Sequence, residues 1–130
     1  MTGGPPPEVL VIEDDPLSAE LIMELLRAAG WNVRLEATGE AGIQAARALV
    51  PALVLLDLGL PGIDGYETMR VLRADPRTAG IAIVAVTAQA MTGDAERAIA
   101  AGFNDYLTKP IDTRKLMLRL TSLLARRPGH

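Results

Sequence analysis

The chain has 130 residues, 49% of them hydrophobic and 22% charged, with a formal net charge of −3. That suffices for one domain with a core of its own, and the lack of cysteine excludes disulfide frameworks, thiolate metal sites and thiol chemistry. With mild acidity and only one Trp, two Tyr and one Phe, there is little to stack on bases or neutralise phosphates, so no nucleic-acid interface is expected.

Residues 1–7 are rich in glycine and proline and carry neither a charged start nor an apolar run. They read as a disordered tail rather than a signal peptide, with one domain expected over 8–127. No apolar run approaches the ~20 residues of a membrane helix, so no membrane association and a cytoplasmic location are expected.

Val9-Leu10-Val11-Ile12 is an unbroken apolar run that suits a strand buried on both faces of a parallel sheet. Asp15-Pro16 predicts an N-cap followed by proline at the first helical position. The helix it opens carries Leu17, Leu21, Ile22, Leu25 and Leu26 at helical spacing and stops at Gly30. Trp31 to Glu36 reads as a second strand. Thr38 caps an Ala-rich second helix to about Leu49, which Pro51 breaks. Leu53 to Leu56 is a third, continuously apolar strand, followed by a turn at Gly59-Leu60-Pro61-Gly62.

A third helix is expected from about Asp64 to Arg73, and a fourth strand over Ile81–Val86. Thr92 is the expected cap of a short fourth helix that ends near Gly102. Asn104–Thr108 reads as the fifth strand. Asp112 caps the last helix, whose stripe is Leu116, Leu120, Leu123 and Leu124 and whose end carries Arg126 and Arg127. Five strands alternating with five helices predict an α/β, doubly wound parallel sheet in three layers. In such sheets the functional crevice lies at the carboxyl ends of the strands.

Those ends carry reactive residue types. The first strand stops at Glu13-Asp14-Asp15, the third at Asp57, the fourth at Thr87-Ala88 and the fifth at Lys109-Pro110. Each has a plain structural reading taken alone: Asp15 caps a helix, Asp57 opens a turn, Thr87 ends a strand and Lys109 is a surface cation. Together they converge on one crevice. Carboxylates gathered at one point repel, and each raises the cost of ionising the next. Such a group suits Mg²⁺, which takes one or two carboxylates, keeps waters and accepts a phosphate oxygen. A lysine opposite neutralises phosphate charge, and a carboxylate such as Asp57 is competent to form an aspartyl phosphate.

In order and spacing, Val-Ile-Glu13-Asp14-Asp15-Pro16, Leu-Leu-Asp57-Leu-Gly-Leu-Pro61-Gly62-Ile-Asp64-Gly65, Val86-Thr87-Ala88 and Tyr106-Leu-Thr-Lys109-Pro110 resemble response-regulator receiver domains of the CheY-like kind. The resemblance implies a flavodoxin-like sheet of order 2-1-3-4-5 and a non-enzyme: a phosphoacceptor signalling domain of a two-component phosphorelay, of the stand-alone type. It makes Asp57 the phosphoacceptor. Asp14, Glu13, Asp57 and the backbone carbonyl of Gly59 become the Mg²⁺ ligands, Lys109 the phosphate-pairing lysine, Thr87 the switch hydroxyl and Tyr106 the switch aromatic. A cis Lys109–Pro110 bond is also implied. The implied partners are a sensor histidine kinase or histidine phosphotransfer protein and an unknown downstream protein target, with a homodimer through the fourth helix, fifth strand and fifth helix as an option. Gly59 and Gln89, two places after Asp57 and Thr87, stand where the family tunes the phosphoryl lifetime.

Rival readings fit less well. A phosphatase of the haloacid dehalogenase type wants a second acid two residues after its nucleophile, where this chain has Gly59. A nucleotide- or flavin-binding protein of the same architecture wants a phosphate-cradling loop after the first strand, where this chain has three acids. A receiver used only as a protein-binding scaffold, without phosphorylation, is the remaining alternative.

Overall fold

The structure is a computed structural model that describes residues 5–125; part of the expected tail, and Arg126 and Arg127, lie outside them. Ten elements alternate: β1 (Glu8–Ile12), α1 (Pro16–Ala28), β2 (Asn32–Glu36), α2 (Gly39–Ala48), β3 (Leu53–Asp57), α3 (Gly65–Ala74), β4 (Ala82–Thr87), α4 (Asp94–Ala101), β5 (Asp105–Thr108) and α5 (Thr113–Ala125). All strand pairs are parallel, in the order β2-β1-β3-β4-β5. This is the flavodoxin-like fold expected.

The apolar strands are buried on both faces because successive side chains point to opposite sides. Leu10, Ile12, Val54, Leu56, Ile83 and Ala85 face the core shared with α2, α3 and α4. Val9, Val11, Leu53, Leu55, Val84 and Val86 face the core shared with α1 and α5. Glycines allow the first of these layers to close. A Cβ on Gly42 would come within 2.3 Å of Ile12, and one on Gly39 within 2.2 Å of the Thr68 hydroxyl.

Five expectations need correction. Asn104 does not open β5, because its side-chain oxygen, in place of a backbone carbonyl, accepts the Ile83 N–H. Leu17 and Leu21 do not join the stripe of α1: they are 77% and 41% exposed, and the buried face is Ala19, Ile22, Met23 and Leu26. Trp31 does not open β2, because its N–H is taken by the Leu26 carbonyl as the chain leaves α1 through Gly30. Ile81 stays outside β4, since its N–H closes a turn on Thr78. Thr92 does not cap α4. Gly93 holds that position with φ of +87°, and the Asp94 carboxylate closes the preceding loop by accepting the Met91 N–H. The caps at Asp15, Thr38 and Asp112 form as expected, and Asp64, expected inside α3, caps that helix in the same way, each side chain accepting an N–H three residues on.

Candidate functional site at the carboxyl ends of the strands

Register alone brings the polar residues together. Ile12 of β1 pairs with Leu56 of β3, so Glu13 and Asp57 emerge side by side. Asp57 pairs with Val86 of β4, and Thr87 pairs with Thr108 of β5, which sets Thr87 and Lys109 one step further along. Backbone bonds extend this rim past the strands: Leu58 N–H donates to Val86, and Lys109 N–H to Thr87. The Lys109–Pro110 bond is cis. The close approach of α3 depends on Gly65, where a Cβ would lie 2.7 Å from the Leu58 Cα and 2.8 Å from the Asp57 carbonyl oxygen.

Glu13, Asp57 and Thr87 are buried polar groups, at 3%, 7% and 8% exposure, whereas Asp14 is exposed. The Lys109 ammonium lies 2.9 Å from Glu13 and 3.4 Å from Asp57. The second Glu13 oxygen accepts the Asp15 N–H at 3.1 Å, and Asp57 accepts the Gly59 N–H at 2.9 Å. Burial pushes the Glu13 carboxyl above its usual range, and the neighbouring Asp57 carboxylate pushes it the same way; Lys109 and the Asp15 amide only partly offset this. Burial works to lower the Lys109 ammonium, but its contact with Glu13 and the charges of Asp57 and Glu13 raise it above the ordinary lysine value.

Carboxylate oxygens of Glu13, Asp14 and Asp57 lie within 4.8 Å of one another. The donors are all hard oxygens, the Lys109 ammonium pairs with only two of the three carboxylates, and Asp14 opens to solvent. That donor set fits a hydrated divalent cation such as Mg²⁺.

Thr87 and Tyr106 lie beside the acids rather than among them. The Thr87 hydroxyl donates to the Gln89 carbonyl at 3.2 Å and accepts the Gln89 N–H at 3.1 Å. Tyr106, on β5, lines a cavity of about 700 Å³ with Leu58, Tyr66, Gln89 and Arg97. Burial pushes its phenol above the usual tyrosine value. Two contacts of the site were not read from the sequence: the Asp15 N–H on Glu13, and the primary engagement of Lys109 with Glu13. Neither leaves a signal in residue type or spacing.

The family model for the response regulator receiver domain matches residues 9–121. Among curated relatives, the DNA-binding dual master transcriptional regulator RpaA of Synechocystis is 38% identical over 92% of this chain and 50% of its own length. The DNA-binding response regulator MtrA of Mycolicibacterium smegmatis is 40% identical over 91% of this chain and 50% of its own. The chain thus spans about half the length of these relatives. Among solved structures, the receiver domain of sensor histidine kinase PA1611 from Pseudomonas aeruginosa has a TM-score of 0.84 at 35% identity, covering 92% of this chain and 98% of that one. That structure holds a magnesium ion in its active-site cleft. The BeF₃-activated receiver domain of RstA from Klebsiella pneumoniae also scores 0.84, at 29% identity over 92% of this chain and 99% of that one. In fold, in sequence and across nearly its whole described length, the chain belongs to the response-regulator receiver domains of two-component systems.

Proposed function

We propose that this domain, over residues 8–127, takes a phosphoryl group on Asp57 and uses it to switch the binding of a partner. The observation that carries the reading is a carboxylate at the end of a buried strand, with Lys109 at 3.4 Å and the carboxylates of Glu13 and Asp14 within reach. An Asp57 carboxylate oxygen bonds to phosphorus while the P–N bond of a phosphohistidine breaks; the imidazole nitrogen keeps that electron pair and takes a proton from solvent. Asp14, Glu13, Asp57 and the Gly59 carbonyl would hold Mg²⁺, which would neutralise the charge on the phosphoryl oxygens. Lys109 turns from Glu13 and Asp57 towards the new phosphate, a charge-assisted contact on its free side. The chain performs only this self-catalysed transfer and a slow hydrolysis, and is no enzyme acting on a separate substrate.

The Thr87 hydroxyl leaves the Gln89 carbonyl for a phosphoryl oxygen, and the Tyr106 ring follows into the vacated space. The face this alters comprises α4, β5 and α5. It carries Arg97, Arg114, Lys115 and Arg119 with Asp94, Glu96 and Asp105, and suits either a downstream protein or a second copy of the chain. A sensor histidine kinase or histidine phosphotransfer protein is the donor in this reading, and the cytoplasm its location. No helix among the described residues is long and apolar enough to cross a membrane. RpaA and MtrA are DNA-binding, but this domain's own face offers mixed charge rather than a basic stripe, and no nucleic-acid contact is assigned to it.

The test is intact mass after incubation with acetyl phosphate and Mg²⁺. One phosphoryl group is expected on the parent and none on Asp57→Asn. Equal uptake by the variant, or none by the parent, refutes the reading; the latter result favours the phosphorylation-independent scaffold.

A further inference from the structure

Helix α4 is held very differently at its two ends. Ala98 is its only buried residue, so packing does little to fix it. At the N-terminal end, Gly93 takes the left-handed conformation and makes no side-chain cap, and residues 88–92 are exposed. The side-chain bonds there are local: Asp94 accepts the Met91 N–H and pairs with Arg97.

At the C-terminal end the chain is tied down from outside the helix. Arg73, near the end of α3, donates twice to the Gly102 carbonyl, at 3.1 and 2.9 Å. The same guanidinium donates to the carbonyls of Ala79 (2.8 Å) and Ile81 (2.6 Å) and to the Asn104 side-chain oxygen (2.7 Å). That Asn104 oxygen also accepts the Ile83 N–H, while the Asn104 N–H donates to Ile83, so the side chain completes a rung between β4 and the start of β5. Phe103, between them, is 3% exposed. Arg73 is half-buried and has no carboxylate among its partners; its charge is spread over carbonyl dipoles.

We infer that Arg73 is the anchor of a lever: it fixes the C-terminal end of α4 and the start of β5, so that a change at Asp57 and Thr87 is expressed as movement of the N-terminal end of α4. The inference rests, for its trigger, on the reading of Asp57 as phosphoacceptor. Residues 88–93 run directly from Thr87 to the free end of the helix, so displacement of Thr87 reaches that end first. Tyr106 lies two residues past Asn104, and the anchored rung keeps its backbone in register while its ring turns. Arg73 is a positioning residue in this scheme and touches no reacting atom.

Amide hydrogen exchange on the full chain tests it. In the resting parent, amides over 94–97 exchange faster than those of Gly102, Asn104 and Ile83. With acetyl phosphate and Mg²⁺, the change concentrates in 88–97. In Arg73→Met, exchange at Gly102, Asn104 and Ile83 rises on the order of tenfold or more, since charged hydrogen bonds are lost, while intact mass still shows uptake on Asp57. Arg73→Lys, which keeps the charge but not the forked donors, shows the same rise to a smaller extent. Uniform exchange along α4 in the resting parent overturns the anchor, as does a phosphorylation response centred on 99–105, or an Arg73→Lys profile equal to the parent. If the parent takes up no phosphoryl group, the reading of Asp57 fails, and the resting profiles still decide the anchor.

Discussion

Lys109 is more closely engaged with Glu13, at 2.9 Å, than with Asp57, at 3.4 Å. The lysine therefore serves the resting protein as the counter-charge of a buried glutamate. Removing it with Lys109→Met leaves the Glu13 carboxylate facing Asp57 without a cation. The partly solvated site lowers the full cost of a broken buried pair, so a loss of about 2 kcal/mol is expected. Urea unfolding checks this, and added Mg²⁺ should recover part of the loss by replacing the missing positive charge.

Asp14 stands outside this pairing. It is exposed, while Glu13 and Asp57 share the lysine, so like-charge repulsion on Asp14 is screened by solvent. Asp14→Ala is expected to raise metal-free stability by no more than about 0.5 kcal/mol and to abolish the rise in melting temperature on adding Mg²⁺. Thermal melts with and without the ion read both effects. A clear metal-free loss would contradict an acid cluster at this point.

Gly65 lets α3 approach the strand end. Because the atoms a Cβ would meet are the backbone of Leu58 and Asp57, no side-chain rotation relieves the clash in Gly65→Ala. A loss of about 1–3 kcal/mol is expected, with slower phosphoryl uptake because the Asp57 loop must shift. Denaturant melts and timed intact mass separate the two effects.

The phosphoryl lifetime should respond to Gly59 and Gln89. A Cβ on Gly59 would meet only the Asp57 carboxylate, at 3.7 Å, so a side chain fits there. Gln89 is exposed and its backbone is tied to Thr87, which leaves its amide free to orient an attacking water. Gln89→Ala should lengthen the half-life several-fold and Gly59→Asn shorten it. Hydrolysis of the purified phosphoprotein, followed by mass, gives the three rates.

Asp75 offers a test of pH dependence away from the site. Hydrogen bonds from the Arg77 side chain and N–H, with Arg47 beyond, hold its carboxyl well below the usual carboxylate range. A depressed folded value means a contribution that is present above about pH 4, the unfolded value, and is lost as pH falls further. Asp75→Asn should therefore be less stable than the parent at pH 7, with the gap closing below about pH 4. Melts across that range check the sign.

Much of this site was legible because it depends on strand ends. Once the apolar runs 9–12, 53–56 and 81–86 are placed in one parallel sheet, Glu13, Asp57 and Thr87 must emerge along one rim. Caps were legible at Asp15, Thr38 and Asp112, where a polar side chain precedes an apolar helical stripe. The α4 start was not, because Gly93 turns the chain by its backbone alone and Thr92 offered a more familiar cap type. Leu17 and Leu21 misled because helical spacing marks a stripe but not which part of it the sheet covers. Arg73 gave no signal: its five bonds go to two stretches beyond its helix, 79–81 and 102–104, and nothing local distinguishes it from a surface arginine.

The rung that Asn104 completes with its side chain has one more consequence. It lets β5 start a residue later, so the sheet ends in a strand of only four residues, Asp105–Thr108. The opposite border, β2, has five and carries Asn32, Arg34 and Glu36 beside the exposed Leu35, with Arg34 turned onto the Ala45 and Leu49 carbonyls. Short borders bearing polar and charged groups are poor templates for adding a foreign strand. Self-association of this protein should therefore run through side chains on its helices, reversibly, and leave the sheet closed to the stacking that begins fibrils.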